Sequence, residues 1–123
     1  YQPIFAHIER YRCLRWPGRV QLLRERYGVS MQMNVDTICR RHSFFSQRWV
    51  NSMLRKGYID VAATDAHNVT SRPCRMRDGY QALQKRFGQE MADRLCIEFP
   101  GRIYHHGVSS SFAMAARVSA CTV

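Results

Sequence analysis

The chain has 123 residues, 46% of them hydrophobic, with a net charge of +10. That is enough for one small domain with one core, and too apolar for wholesale disorder. No apolar run reaches the roughly 18 residues of a membrane-spanning helix, and no signal peptide is visible.

The basic side is nearly all arginine, with lysine only at Lys56 and Lys85. A surface of that sign favours anionic partners such as phosphates, acidic peptides or nucleic acid. The arginines form no block, however, so compositional bias explains them equally well. Cysteines stand at 13, 39, 74, 96 and 121, with no C-x-x-C pair. An odd count without tight spacing argues against a disulfide framework or a zinc ribbon and fits a reducing cytosol. The chain opens at Tyr1 rather than at methionine and reads from its first residues like the middle of a fold, so a fragment is expected.

In chain order, the apolar run from Gln2 to Ala6 predicts a buried strand, with polar residues at its carboxyl end. A strand's period of two would place His7 and Glu9 on one face. Pro17-Gly18 is a turn. Val20, Leu22, Leu23 and Tyr27 predict a helix over 19–27, stopped by Gly28. Val29 to Val35 predicts a second strand, with Gln32 and Asn34 opposite Met31, Met33 and Val35. Trp49, Val50, Met53 and Leu54 predict a helix over 46–56, closed by Gly57. Tyr58 to Thr64 is the third strand. Met76 to Phe87 is a helix with Tyr80, Leu83 and Phe87 inward, followed by a short helix from Gln89 to Cys96 that Pro100 breaks. Residues 104–123 lose any clear period apart from a weak helix over 112–118, and form a peripheral tail to a 1–103 domain. Strand–helix alternation of this kind predicts α/β architecture with a parallel sheet. Three units cannot close a barrel of about eight, so the sheet keeps open edges that expose it to self-association.

The third strand runs into Thr64-Asp65-Ala66-His67-Asn68. Alternation puts Asp65 and His67 on one side, at the strand end where α/β folds place ligands. A carboxylate beside an imidazole is half of a metal site; Asp and Asn are also common turn residues. Together the three strand ends offer His7, Glu9, Arg10, Asn34, Asp65, His67 and Asn68. Arg10 and Arg72 can hold a phosphate by paired hydrogen bonds, or be two surface arginines among many. Cys13 to Arg19 and Cys96 to Arg102 match the Cys-x5-Arg spacing of cysteine phosphatases. Neither has the glycine-rich interior that cradles a phosphate, so a cysteine nucleophile is not expected.

Ala6-His7-Ile8-Glu9-Arg10-Tyr11, then Gln32-Met33-Asn34, then Thr64-Asp65-Ala66-His67-Asn68 with Arg72-Pro73 soon after, form an ordered series. It resembles the C-terminal half of the manganese-dependent protein-tyrosine phosphatases of the polymerase and histidinol phosphatase (PHP) superfamily. These are encoded in capsule and exopolysaccharide loci, mostly of Gram-positive bacteria. The resemblance covers about residues 2–103 and includes Met76, Tyr80, Phe87-Gly88, Ala92, Leu95, Pro100 and Ile103 of the closing helices. It implies the C-terminal βα units of a distorted β/α barrel, with Mn²⁺ or another divalent metal at its mouth. His7, Asp65 and His67 fall on metal-ligand positions. Arg10 and Arg72 fall on phosphate-binding positions. Glu9, Asn34 and Asn68, from the same strand ends, are expected either to line the pocket or to stand behind the ligands and hold them. The implied substrate is the phosphotyrosine-rich tail of a bacterial tyrosine kinase, in the cytoplasm, without membrane insertion or nucleic acid.

The chain departs from the family's pattern in three respects. It lacks the family's N-terminal half and its His-x-His strand, it has Phe99 where Asn usually precedes Pro100, and its tail after Ile103 has no counterpart. Alone, the fragment is therefore expected to be weakly active or inactive. Two other readings carry different tests: a PHP phosphoesterase of small phosphates such as histidinol phosphate, and a non-enzymatic basic module that binds polyanions.

Overall fold

The computed structural model describes residues 3–40 and 42–106; the expected helix at 112–118 and most of the tail lie outside them. Three parallel strands form one sheet in the order β1-β2-β3: β1 at Ile4–Phe5, β2 at Ser30–Asn34 and β3 at Val61–Ala63. Ile4 pairs with Ser30 and Phe5 with Met31; Gln32, Met33 and Asn34 pair with Val61, Ala62 and Ala63. Parallel neighbours cannot be joined by a tight turn, so each connection carries helix. Two 3₁₀ turns, Ile8–Arg10 and Arg12–Arg15, and helix α1 (Arg19–Tyr27) lead from β1 to β2; α2 (Val35–Cys39) and α3 (Phe44–Arg55) lead from β2 to β3. After β3 come α4 (Met76–Phe87), α5 (Gln89–Asp93), a π turn (Arg94–Glu98) and α6 (Phe99–His106). The expected α/β class and parallel pairing are therefore present.

All five residues of β2 are buried. Gln32 and Asn34, opposite the methionines, are polar groups inside, and Gln32 Nε2 donates to Asn34 Oδ1 at 2.9 Å. A central parallel strand is covered on both faces, so its polar residues must find partners within the protein. Ile8, Met31, Met33, Ile38, Leu54, Ile59, Leu83 and Leu95 are fully buried. Each contributes roughly 1.5–3 kcal/mol relative to exposure.

Three expectations are corrected. The strands are shorter than their apolar runs: β1 ends at Phe5 and β3 at Ala63, because the polar segments beyond them turn away instead of extending. Val35 does not close β2 but opens α2. This helix is too short to stand alone; it persists because Val35 and Ile38 are buried and α2 packs on α4. The approach is close: a Cβ on Gly79 would lie 2.5 Å from Val35 Cγ1. Finally, Pro100 does not break the last helix. The Phe99 N–H reaches back five residues to the Arg94 carbonyl, widening the turn, and Pro100 then sits in the first turn of α6, where its missing N–H costs little.

Candidate functional site at the carboxyl end of the sheet

Asp65 follows β3 with a φ of +52°, the left-handed region. Among the described residues it is one of two non-glycine residues with positive φ; the other is His7, at +38°, just after β1. Such residues are uncommon, and they concentrate where surrounding structure holds them for a purpose. Neither lies on an extended strand, so the expected alternation does not operate. His7 precedes the first 3₁₀ turn, which carries Glu9 and Arg10. Asp65 and His67 nevertheless remain neighbours: His67 Nδ1 is 3.9 Å from Asp65 Oδ1.

Two arginines converge on one oxygen. Arg10 Nη2 donates to Asp65 Oδ2 at 2.8 Å, and Arg72 Nη2 donates to the same atom. Asn34 Nδ2 adds a third, longer contact at 3.3 Å. The Asp65 side chain is 22% exposed and both arginines more so. Partial burial pushes the Asp65 carboxyl up, but Arg72, then Arg10, the Asn34 amide and His67 outweigh it and hold the carboxyl below its usual range.

His67 Nδ1 lies 2.7 Å from the Asp65 carbonyl oxygen. A carbonyl only accepts, so Nδ1 carries the proton and Nε2 presents its lone pair. That lone pair faces the Arg72 guanidinium, 3.4 Å away. Asp65 and His67 thus both direct electron pairs at a cation. His7 Nδ1 and Glu9 Oε2 are buried without a hydrogen-bond partner. Among the described residues no three His, Cys, Asp or Glu side chains converge to hold an ion. The donor types present fit part of a divalent-metal site: Asp65 and His67 are brought together, and His7 is not joined to them in one cluster.

The remaining candidates divide by role. Asn34 belongs to the cluster through Asp65. Asn68 stands behind the cluster: its Oδ1 accepts from the backbone N–H groups of Thr70, Ser71 and Arg72 at 3.1, 2.8 and 3.0 Å. It folds the loop that presents Arg72, helped by the His67 N–H donating to the Arg72 carbonyl at 3.0 Å. Gln32 was not among the candidates, yet its Oε1 accepts the His7 backbone N–H and so fixes the turn after β1. A polar residue in the middle of an otherwise buried strand was the available signal.

Neither Cys-x5-Arg segment forms a phosphate loop. Cys13 lies on a 3₁₀ turn that runs into α1. Cys96 lies in the π turn, and burial pushes its thiol up to about 11, the opposite of what a nucleophile needs.

Residues 1–105 match the family model described as "Capsular polysaccharide synthesis, CpsB/CapC". The chain belongs to the CpsB/CapC family. Among curated relatives, the tyrosine-protein phosphatase CpsB of Streptococcus pneumoniae is 27% identical over 108 residues, covering 82% of this chain and 44% of the relative. The CpsB of Streptococcus agalactiae is 30% identical over 104 residues, covering 78% and 42%. The chain therefore spans less than half the length of the CpsB proteins it matches. The matched region takes in the whole cluster around Asp65, as the resemblance of the Ala6–Tyr11 and Thr64–Asn68 segments implies. No described helix is long and apolar enough to cross a membrane.

Proposed function

We propose that this chain supplies the phosphate-binding half of a divalent-metal-dependent phosphotyrosine protein phosphatase, and that its three-strand sheet is a segment of a PHP-type β/α barrel. One observation carries the reading: Arg10, from the connection after β1, and Arg72, from the loop after β3, meet on a single Asp65 oxygen beside His67. The two guanidinium groups repel each other and need an anion between them. A phosphoryl group offers more acceptor oxygens than a carboxylate, and arginine's planar fork suits it.

Asp65 and His67, with His7, would hold the metal, Mn²⁺ by the family resemblance. When bound, such an ion supplies Lewis-acid stabilisation of phosphoryl oxygens and lowers the pKa of water. The chain's own residues do the rest. Arg10 and Arg72 orient the phosphate and offset charge as it grows. The Asp65 carbonyl keeps His67 in the tautomer that leaves Nε2 free to ligate. Asn68 holds the Arg72 loop in place. The substrate of this reading is a tyrosine-phosphorylated protein, the tyrosine-rich tail of a bacterial kinase, in a reducing compartment that keeps the described cysteines as free thiols.

The test joins this sequence to the upstream half of the Streptococcus agalactiae relative and assays phosphotyrosyl-peptide hydrolysis with Mn²⁺. Arg10→Ala should lower the rate about 10²–10³-fold. Equal rates for wild type and Arg10→Ala, or hydrolysis of histidinol phosphate and not of the peptide, would sink the assignment.

A further inference from the structure

The 25-residue stretch bounded by Asp36 and Asp60 contains no carboxylate between those two residues. Its helix, α3, carries Arg48 and Arg55, with Lys56 just beyond. None of the three has an ion-pair partner among the described residues, whereas Arg10, Arg24, Arg40, Arg72 and Arg75 all do. Unpaired cations of one sign on one face leave an uncompensated positive potential.

A groove of about 450 Å³ runs between the second 3₁₀ turn with the start of α1 on one side and α3 on the other. That volume lies within the range of ligand-sized sites, roughly 300–1,000 Å³. Three cations line it, Arg15, Arg48 and Lys56, and no acidic residue does. Its aromatic walls are Trp16, Phe45, Trp49 and Tyr58. Trp16 is 70% exposed and Phe45 81%, values far from those of core aromatics. Arg15 sits 5.5 Å from the Trp49 ring centroid, so a cation already lies over an aromatic face. A second, shallower depression continues along α3 past Phe44 and Arg55 and shares Arg48, Ser52 and Lys56 with the first. The groove also adjoins the site: Arg15 Nη2 donates to the Glu9 carbonyl at 3.4 Å, one residue before Arg10.

We propose that this groove docks an acidic, tyrosine-bearing peptide segment of the phosphorylated partner. The cations match carboxylates on the peptide, and the exposed rings and the cation over Trp49 match its aromatic side chains. A docked segment would lie next to the loop that carries Arg10, which raises the local concentration of phosphotyrosine at the site. The proposal rests on the phosphotyrosine-protein reading above. It concerns affinity for peptide without phosphate, and so it is tested separately from catalysis.

The experiment follows fluorescence anisotropy of a labelled, unphosphorylated peptide of alternating glutamate and tyrosine, titrated with the whole chain. An all-glutamate peptide and oligothymidylate serve as competing probes. The expected result is that Arg48→Glu with Lys56→Glu weakens the Glu-Tyr peptide at least about tenfold, and Phe45→Ala weakens it by a smaller factor. Arg10→Ala leaves it unchanged. Both groove changes lie on exposed positions, and circular dichroism checks that the variants fold. Undiminished binding by the charge-reversed variant would overturn the proposal. So would equal affinity for the all-glutamate peptide, which makes the aromatic walls irrelevant, or tighter binding of oligothymidylate, which makes the groove a nucleic-acid surface. If hydrolysis by the joined protein fails while these peptide affinities hold, the catalytic reading falls and the docking surface stands.

Discussion

The two ends of β3 each carry an aspartate paired with arginine, and they do different work. Asp60, just before the strand, accepts the Met31 backbone N–H at 2.7 Å and pairs with Arg24, which also donates to the Tyr58 carbonyl at 3.0 Å. Its own N–H donates to the Met31 carbonyl at 2.9 Å. It is tied to backbone on both sides, and its side chain is 13% exposed. The Asp65 carboxylate, just after the strand, accepts from the side chains of Arg10, Asn34 and Arg72, and the residue sits at positive φ. Side chains rotate away at low cost; backbone amides in a sheet do not. The entry aspartate therefore sets register, and the exit aspartate holds groups that can be exchanged for a ligand.

The sharpest way to break this contrast is mutation at the entry. Asp60→Ala removes the carboxylate partner of Arg24 and the acceptor of the Met31 N–H, and should cost about 2–4 kcal/mol of stability. Thermal unfolding measures it, and Asp65→Asn should lower the midpoint far less. Equal losses would mean that both aspartates are structural. Gly79→Ala tests the helical layer beneath the sheet. Its methyl would press on Val35, and chemical denaturation should show a loss of about 1–3 kcal/mol, without any change in metal or phosphate binding. The smallest effect is the pH dependence of the exit cluster. With its folded pKa held down, Asp65 contributes stability that is fully present above the ordinary carboxylate value. That contribution is lost as pH falls through the lowered one. In an NMR titration Arg10→Ala should move the Asp65 midpoint upward, towards the ordinary value; an unmoved midpoint would remove Arg10 from the cluster.

Much of the frame was legible because local pattern and tertiary fate agree there. Met76 to Phe87 is helical to the residue expected, with Leu83 buried and Tyr80 half-buried. The parallel order followed from strand–helix alternation. What failed was decided by contacts distant in sequence. The helix α2 rests on the gap opened by Gly79, and the last helix passes Pro100 by widening one turn. The site shows the same division. Asp65 and His67 were recognisable as a pair, although a left-handed turn rather than strand alternation joins them. The ties of Asp65 to Arg10, 55 residues away, and to Asn34, 31 away, are set by β2 lying between β1 and β3. Gln32 escaped the candidate set because its partner, the His7 backbone N–H, lies 25 residues away on the turn after β1.

The most direct test of the central claim is paramagnetic broadening by Mn²⁺ in amide NMR spectra of this chain, beside Asp65→Asn. The account predicts that the signals of Asp65, Ala66, His67 and Asn68 broaden first, followed by those around His7, and that Asp65→Asn abolishes this preference. Broadening centred on another carboxylate group, such as Asp36 and Asp78, or unchanged by Asp65→Asn, would contradict it.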